Sequence, residues 1–177
     1  YPNNLGLIIE EFNYYLSKGD TEKAQASLAS AIEKEPNNPV FHFNIGATFD
    51  ELTAKKRKEG MHEEAGVFSK KAIEGYKKAI ELKSDFSDAY FNLGIFYYNE
   101  SIELNSMASD IKDQTLEAKS LAMAKEYLND AIPYLEKAHE LQPKDVNTLK
   151  VLKSIYFNLE KDAEYKVVEE KLKALGQ

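Results

Sequence analysis

The sequence predicts an all-α chain made of stacked copies of one helical hairpin, and three observations carry that expectation. The first is repetition. Phe43-Asn44-Ile45-Gly46-Ala47-Thr48-Phe49 and the later Phe91-Asn92-Leu93-Gly94-Ile95-Phe96-Tyr97 read almost alike. Each is followed by a second shared phrase, Ala72-Ile73-Glu74-Gly75-Tyr76-Lys77-Lys78-Ala79-Ile80 in one case and Ala131-Ile132-Pro133-Tyr134-Leu135-Glu136-Lys137-Ala138-His139 in the other. A chain that repeats a two-phrase unit is built from neighbouring copies of one supersecondary element, which bury their apolar faces against each other. The second is periodicity: apolar and small residues recur at three- and four-residue spacing throughout, which is the period of helices. The third is size. A chain of 177 residues buries about 70% of its unfolded surface and needs no staple.

The elements follow in order. Leu5–Ser17 and Thr21–Glu35 flank Gly19-Asp20, where glycine supplies positive φ and aspartate caps the next helix. In the next unit Ile45, Phe49 and Leu52 continue the stripe of the first helix. Met61, Ala65, Phe68, Ala72, Tyr76 and Ala79 lead in phase into the second, with the turn at Lys58-Glu59-Gly60. In the third, Tyr90, Leu93, Tyr97 and Leu104 extend the first helix, and Ala118, Leu121, Leu128, Ala131, Leu135 and Ala138 form one stripe along the second. Pro133 lies inside that stripe without shifting its phase, so a kink near residues 129–133 is expected and not an end. The turn falls within Ser106–Gln114. The last pair reads as Asp145–Leu159 and Asp162–Leu175, and its closing helix is heavily charged, as an outer cap should be.

Pro2 and Pro36 each open a Pro-Asn-Asn triplet and set the basic period; the next unit ends fall at Ser84 and Pro143, at longer intervals. Here the chain resembles the tetratricopeptide repeat family, whose unit is a helix-turn-helix of roughly 34 residues with a loose Leu-Gly-x-x-Tyr, Ala-x-x-x-Phe, Pro pattern. The resemblance covers nearly the whole chain and implies a right-handed α-solenoid of about four repeats in a single domain spanning 1–177. The repeats are 5–38, 39–86, 87–145 and 146–177, with insertions at about 50–70 and 99–130 that lengthen the second and, still more, the third. The position of close helix approach is Gly46 and Gly94 in the middle repeats, and Phe12 and Lys153 in the outer two. The second-helix alanines are Ala24 and Ala31, Ala72 and Ala79, and Ala131 and Ala138, with Tyr165 and Leu172 in the fourth. A terminal repeat has no outer neighbour, so an atypical last unit is expected. Two neighbouring hairpins are over-long on the same edge and should project together as an arm. Tyr1-Pro2-Asn3-Asn4 reads as the close of a preceding unit, so the chain is expected to be a piece of a longer array.

Composition narrows the function. A net charge of −7 argues against nucleic acid or anionic lipid as the main partner. The absence of cysteine excludes disulfides, thiol chemistry and Cys-ligated metal. No apolar run approaches the roughly 18 residues of a membrane span, so a soluble protein is expected, either cytoplasmic or exported. His42, His62 and His139 share no helical face at metal-binding spacing, and His62-Glu63-Glu64 reads as a helix start with acids in its first turn. Almost every carboxylate has a helix-surface explanation, so no catalytic pair can be selected, and neither a Gly-rich phosphate loop nor a Gly-x-Ser-x-Gly elbow occurs. No catalytic residue, metal or cofactor is therefore expected, and a helical hydrolase or lyase is the weakest of the readings.

The family resemblance implies that first helices line a concave face which holds extended peptides or partner helices. Carried onto this chain, the inward positions are Ile9 and Asn13, then Phe43, Asn44 and Ala47. The third repeat gives Phe91, Asn92, Ile95 and Tyr98, and the fourth Lys150, Ser154 and Phe157. Aromatics supply desolvated contact area and asparagine offers both donor and acceptor. Phe43 and Phe91 equally suit packing against the preceding repeat. Some chaperone-binding members hold a C-terminal carboxylate in a clamp of Lys, Arg and Asn. Asn13 and Asn44 fall at its asparagine positions, but Ile9, Asp88 and Asn92 stand where its cations belong, so this subtype is rejected. The expected function is a non-enzymatic protein-interaction module that binds a protein or peptide segment along its groove, as a monomer or weak homo-oligomer. The alternative is an assembly scaffold that uses the projecting arms of repeats two and three.

Overall fold

The computed structural model describes residues 5–177, with side chains described for all of these except residues 5, 6, 9, 13, 21 and 22. Tyr1-Pro2-Asn3-Asn4, expected to close a preceding unit, lies outside the described residues. The described chain is all-α. Its helices are α1 (Leu5–Ser17), α2 (Thr21–Lys34), α3 (Pro39–Lys58), α4 (His62–Leu82), α5 (Ser87–Ala108), α6 (Gln114–Leu141), α7 (Val146–Asn158) and α8 (Asp162–Ala174). Contacts group them into two compact units, Tyr1–Ser84 and Asp85–Gln177, of two hairpins each.

The sequence expectations reach one residue past several of these ends because the extra residues are caps. Asp145 is not in α7 but accepts from the backbone N–H of Asn147 and Thr148. Glu35 and Leu175 stand just beyond α2 and α8 as C-caps. Asn38 caps α3 by accepting from Val40 N at 3.0 Å, with Pro39 at the first helical position where its missing N–H costs nothing. Asp113 caps α6 by accepting from Thr115 and Leu116. Helix lengths follow the insertions. Against 13 and 14 residues in α1 and α2, α3 and α4 have 20 and 21, about two extra turns each. In the next hairpin α5 has 22 residues and α6 has 28, running unbroken through Pro133.

Three hairpins turn in the same way. Gly19 N bonds Leu16 O while Asp20 N bonds Tyr15 O; Gly60 and Met61 repeat the pattern on Arg57 and Lys56, and Glu160 and Lys161 repeat it on Phe157 and Tyr156. This paired i−3 and i−5 bonding needs a left-handed residue at its centre. Glycine takes that place at φ 73° and 75°, but in the last hairpin it falls to Glu160 at φ 56°. A side chain in that region carries a penalty of about 1 kcal/mol or more. Glu160→Gly is therefore expected to raise the denaturation midpoint, by up to about 1 kcal/mol of stability, whereas Gly60→Ala lowers it. Urea titration of the two variants checks the pair of opposite signs.

One pair of positions organises the inside of every hairpin. Phe12 and Leu28 share the first core cluster, with Ala24. A Cβ at Gly46 would stand 2.5 Å from the Tyr76 ring, and one at Gly94 would stand 2.5 Å from Leu135 Cγ. In the last hairpin Lys153 Nζ meets Glu169 Oε1 at 3.0 Å. In the repeated phrases Leu28, Tyr76, Leu135 and Glu169 occupy the same place, one helical turn after Ala24, Ala72, Ala131 and Tyr165. The close approach expected at Gly46 and Gly94 is thus present. Where glycine is lost, an apolar pair or an ion pair takes its place. The second unit is further tied by stacked rings, Tyr97 on Tyr134 at 5.7 Å and on Tyr127 at 6.0 Å. In the first, Phe49 lies 5.6 Å from Phe68 of its own hairpin.

Candidate partner-binding cleft

The expected groove residues divide sharply by place. On α3, Phe43 is half-buried with its ring 5.8 Å from Tyr76, and Asn44 is half-buried. Ile9 and Asn13 have side chains outside the described residues. On α5, Phe91, Ile95 and Tyr98 recur at helical spacing along one face and are all half-buried. Asn92 beside them donates its amide to its own helix at Asp88 O, 2.8 Å away, which leaves its carbonyl oxygen for other use. On α7, Lys150, Ser154 and Phe157 repeat that spacing, with Ser154 Oγ bonded to Lys150 O.

Of the residues singled out for the groove, four come together: Tyr98, Lys150, Ser154 and Phe157 line one cleft of about 460 Å³ in the second unit. Lys153, Asn158 and Tyr165 complete it. Phe157 is 71% exposed, the most exposed large apolar side chain among the described residues, and its ring lies 6.1 Å from Tyr165. Lys153 sits 5.0 Å above the Tyr165 ring and binds Glu169, whose other oxygen takes Lys173 at 3.2 Å. Those two hydrogen-bonded ammonium groups hold the Glu169 carboxyl below the usual range, and Glu169 in turn raises Lys153. Lys150 reaches the neutral side-chain oxygen of Gln177 at 3.2 Å. The cleft therefore offers an open aromatic surface with a cation at its edge that is not matched by a carboxylate among these contacts.

Lys153 and Tyr165 are visible in the sequence only as departures from the glycine and alanine of the middle repeats. That is the signal that finds them. Lysine stands where the middle repeats have glycine and tyrosine where they have alanine, and both side chains line the cleft. A second cavity has no counterpart in the sequence expectations. About 600 Å³ of mainly apolar space opens between α6, α7 and α8. Charge counted along α8 hides the outward-facing Val167, which is 52% exposed. Among the described residues no cluster of three or more metal-ligating side chains occurs, and no helix is long and apolar enough to cross a membrane.

Helical hairpins joined by short turns, with small residues at the crossing, define a helical-repeat protein. Residues 70–104, from the middle of α4 through most of α5, match the TPR repeat. Over that stretch the chain is similar to the tetratricopeptide repeat. No curated protein matches it. Among solved structures it is similar to the monomeric mutant of IFIT1 solved with Gppp-AAAA (17% identity, TM-score 0.47), covering 86% of this chain but only 36% of that one. MamA gives 18% identity and a TM-score of 0.42 over 95% of this chain and 89% of the other. Pseudomonas aeruginosa PilF gives 18% and 0.39 over 98% and 77%. The repeat that this stretch resembles is in general an element of protein–protein interaction modules.

Proposed function

We propose that the chain acts by binding alone, holding a segment of a partner protein against the cleft formed by α5, α7 and α8. The observation that carries this reading is the convergence of Tyr98, Lys150, Ser154 and Phe157 on one cleft whose largest apolar side chain is 71% exposed. A wide-open phenylalanine beside a tyrosine has the character of the aromatic anchors that dominate interfaces. Lys150 adds selectivity: a partner segment that sets an apolar or aromatic side chain on Phe157 and Tyr165 places a neighbouring carboxylate at Lys150. The ion pair Lys153–Glu169 keeps Tyr165 in place as the cleft wall. On α5 the stripe Phe91, Ile95 and Tyr98 leads into the cleft and lengthens the surface along which an extended segment lies.

Selection of a displayed random-peptide library on the full chain tests this. Peptides enriched in an aromatic residue next to Asp or Glu are expected. Phe157→Ala and Lys150→Glu should each weaken the winners about tenfold or more with helicity intact, since both side chains are exposed. The α5–α6 hairpin favours the scaffold reading through its exposed Ile102, Met107 and Leu116, at 50%, 42% and 57%. Peptides that lose binding to Ile102→Asp and Leu116→Asp, and ignore Phe157→Ala, would replace the cleft reading with that one.

A further inference from the structure

The 600 Å³ space between α6, α7 and α8 has the form of a groove with two walls and a floor. Its floor is Leu149, Leu152 and Tyr156 of α7, which are 0%, 2% and 3% exposed. One wall is the ridge of Glu136 and His139 on α6 with Pro143 just beyond its end, and the other is the α8 ridge Glu164, Val167 and Lys171. Each ridge climbs in steps of three and four residues, so each wall extends about 10 Å, or two helical turns.

The chemistry of the rim differs from that of the cleft with Phe157. Carboxylates dominate: Glu136, Glu140 and Glu164 face a single cation, Lys171. Glu136 accepts from Tyr156 Oη at 2.8 Å at the groove edge, while burial first and this carboxylate second push the Tyr156 hydroxyl up and keep it protonated. Glu140 meets Lys137 at 2.9 Å on its own helix. His139 adds no positive charge near neutral pH, since burial and the nearby Lys171 lower its pKa. Its Nδ1 is buried without a hydrogen-bond partner in the fold.

We propose that this groove is a second docking surface, distinct from the Phe157 cleft, which takes about two turns of a partner's amphipathic helix with an apolar stripe flanked by lysine or arginine. The apolar floor and Val167 remove the stripe from water, and the carboxylate rim selects the flanks. Charge also disfavours a second copy of this chain as the occupant. The chain carries a net −7, and its most apolar helix, α1, brings Glu10 and Glu11 and no base. Acid would face acid.

The test is a fluorescence-anisotropy titration of the full chain with a labelled synthetic helix of about 16 residues, long enough to hold helical structure. It carries leucines at i, i+4 and i+7 and lysines beside them. The expected result is saturable binding that Val167→Asp weakens about tenfold or more. Non-specific attraction would instead strengthen, because the substitution adds an acid. Glu164→Lys should weaken binding too, a helix with glutamates in place of the lysines should bind about tenfold more weakly or not at all, and Phe157→Ala should leave the affinity unchanged. Val167 is half exposed, so circular dichroism is expected to show an intact fold in that variant. No binding, equal binding of the acidic helix, or affinity unaffected by Val167→Asp overturns the proposal. So does concentration-dependent dimerisation that Val167→Asp abolishes, since the occupant would then be a second copy.

Discussion

Gly75→Ala is expected to lower the melting midpoint, although Gly66→Ala, earlier in the same helix, raises it. Alanine is the better helix former by about 1 kcal/mol, so both substitutions start with the same intrinsic gain. What differs is the space. At Gly66 a Cβ would meet nothing within 4 Å, and the gain is realised. At Gly75 the new carbon would stand 2.6 Å from Gly46 N and 2.9 Å from both Gly46 Cα and His42 O. These are backbone atoms, which cannot rotate aside; α3 and α4 must part along their whole length to admit one methyl group. That separation loosens Tyr76, which is 1% exposed and packed over Gly46. The net loss is expected at about 1–3 kcal/mol, against a gain of about 0.5–1 kcal/mol at Gly66. Gly46→Leu should fall on the losing side as well, through the Tyr76 ring. Thermal melts followed by circular dichroism decide the matter. A Gly75→Ala midpoint at or above the parent would mean that the two helices do not touch as described.

Much of this arrangement is legible in the sequence, and the parts that are not have a physical cause. Helix positions can be read because apolar spacing and capping are local: Asn38-Pro39, Asp113 and Asp145 mark starts by chemistry contained within a few residues. Gly46 and Gly94 can be read because the two phrases around them repeat. Gly75 cannot, because its counterpart in the second phrase is Tyr134. The phrase preserves the slot for the large residue, Tyr76 or Leu135, and not the contact beside it. In the first unit two glycines let backbones meet; in the second Tyr134 stacks on Tyr97. The groove residues show the same division. Spacing alone puts Lys150, Ser154 and Phe157 on one face of α7. That Tyr98 joins them while Phe43 turns to Tyr76 depends on how far apart helices stand, and side-chain volume on the facing helix sets that distance. The apolar space beneath α8 is hidden for a related reason. It is formed by residues from three helices, and on α8 Val167 is hidden among charged neighbours.

The two openings of the second unit also differ in charge. On the proposed readings, the Phe157 cleft, with Lys150 at its edge, would take acidic segments, and the groove under α8, with its acidic rim, basic ones. α7 supplies one wall of the first and the floor of the second, so both depend on how α7 is held. Leu152 and Tyr156, on its buried side, face the groove, while Ser154 and Phe157 face the cleft. A helix with one face in each site demands a rigid support, and that support is the α5–α6 hairpin.

Leu135→Ala tests that support and is expected to be the most damaging of these substitutions, costing about 2–5 kcal/mol. Leu135 is 0% exposed and fills the space directly over Gly94, so removing its branch leaves a cavity that α5 cannot close, because Leu93 and Phe96 are held at 0% and 1% exposure on either side. At this chain length each kcal/mol moves the midpoint by about 2–4 °C, so the shift is large enough to measure without ambiguity. Gly94→Ala alone should also destabilise, since its Cβ would lie 2.5 Å from Leu135 Cγ and 2.8 Å from Cδ2. Combined, the two changes should partly cancel. With the leucine branch gone, the alanine methyl at position 94 enters the vacated space instead of colliding, and the helix gains the propensity that glycine lacked. The double variant is therefore expected to be more stable than Leu135→Ala by itself, with a coupling of about 1 kcal/mol or more between the sites. Strict additivity, with the double variant losing the sum of both singles, would show that Gly94 and Leu135 are not in contact and that the glycine-facing-bulk pairing shared by the middle hairpins is not what sets their helix spacing.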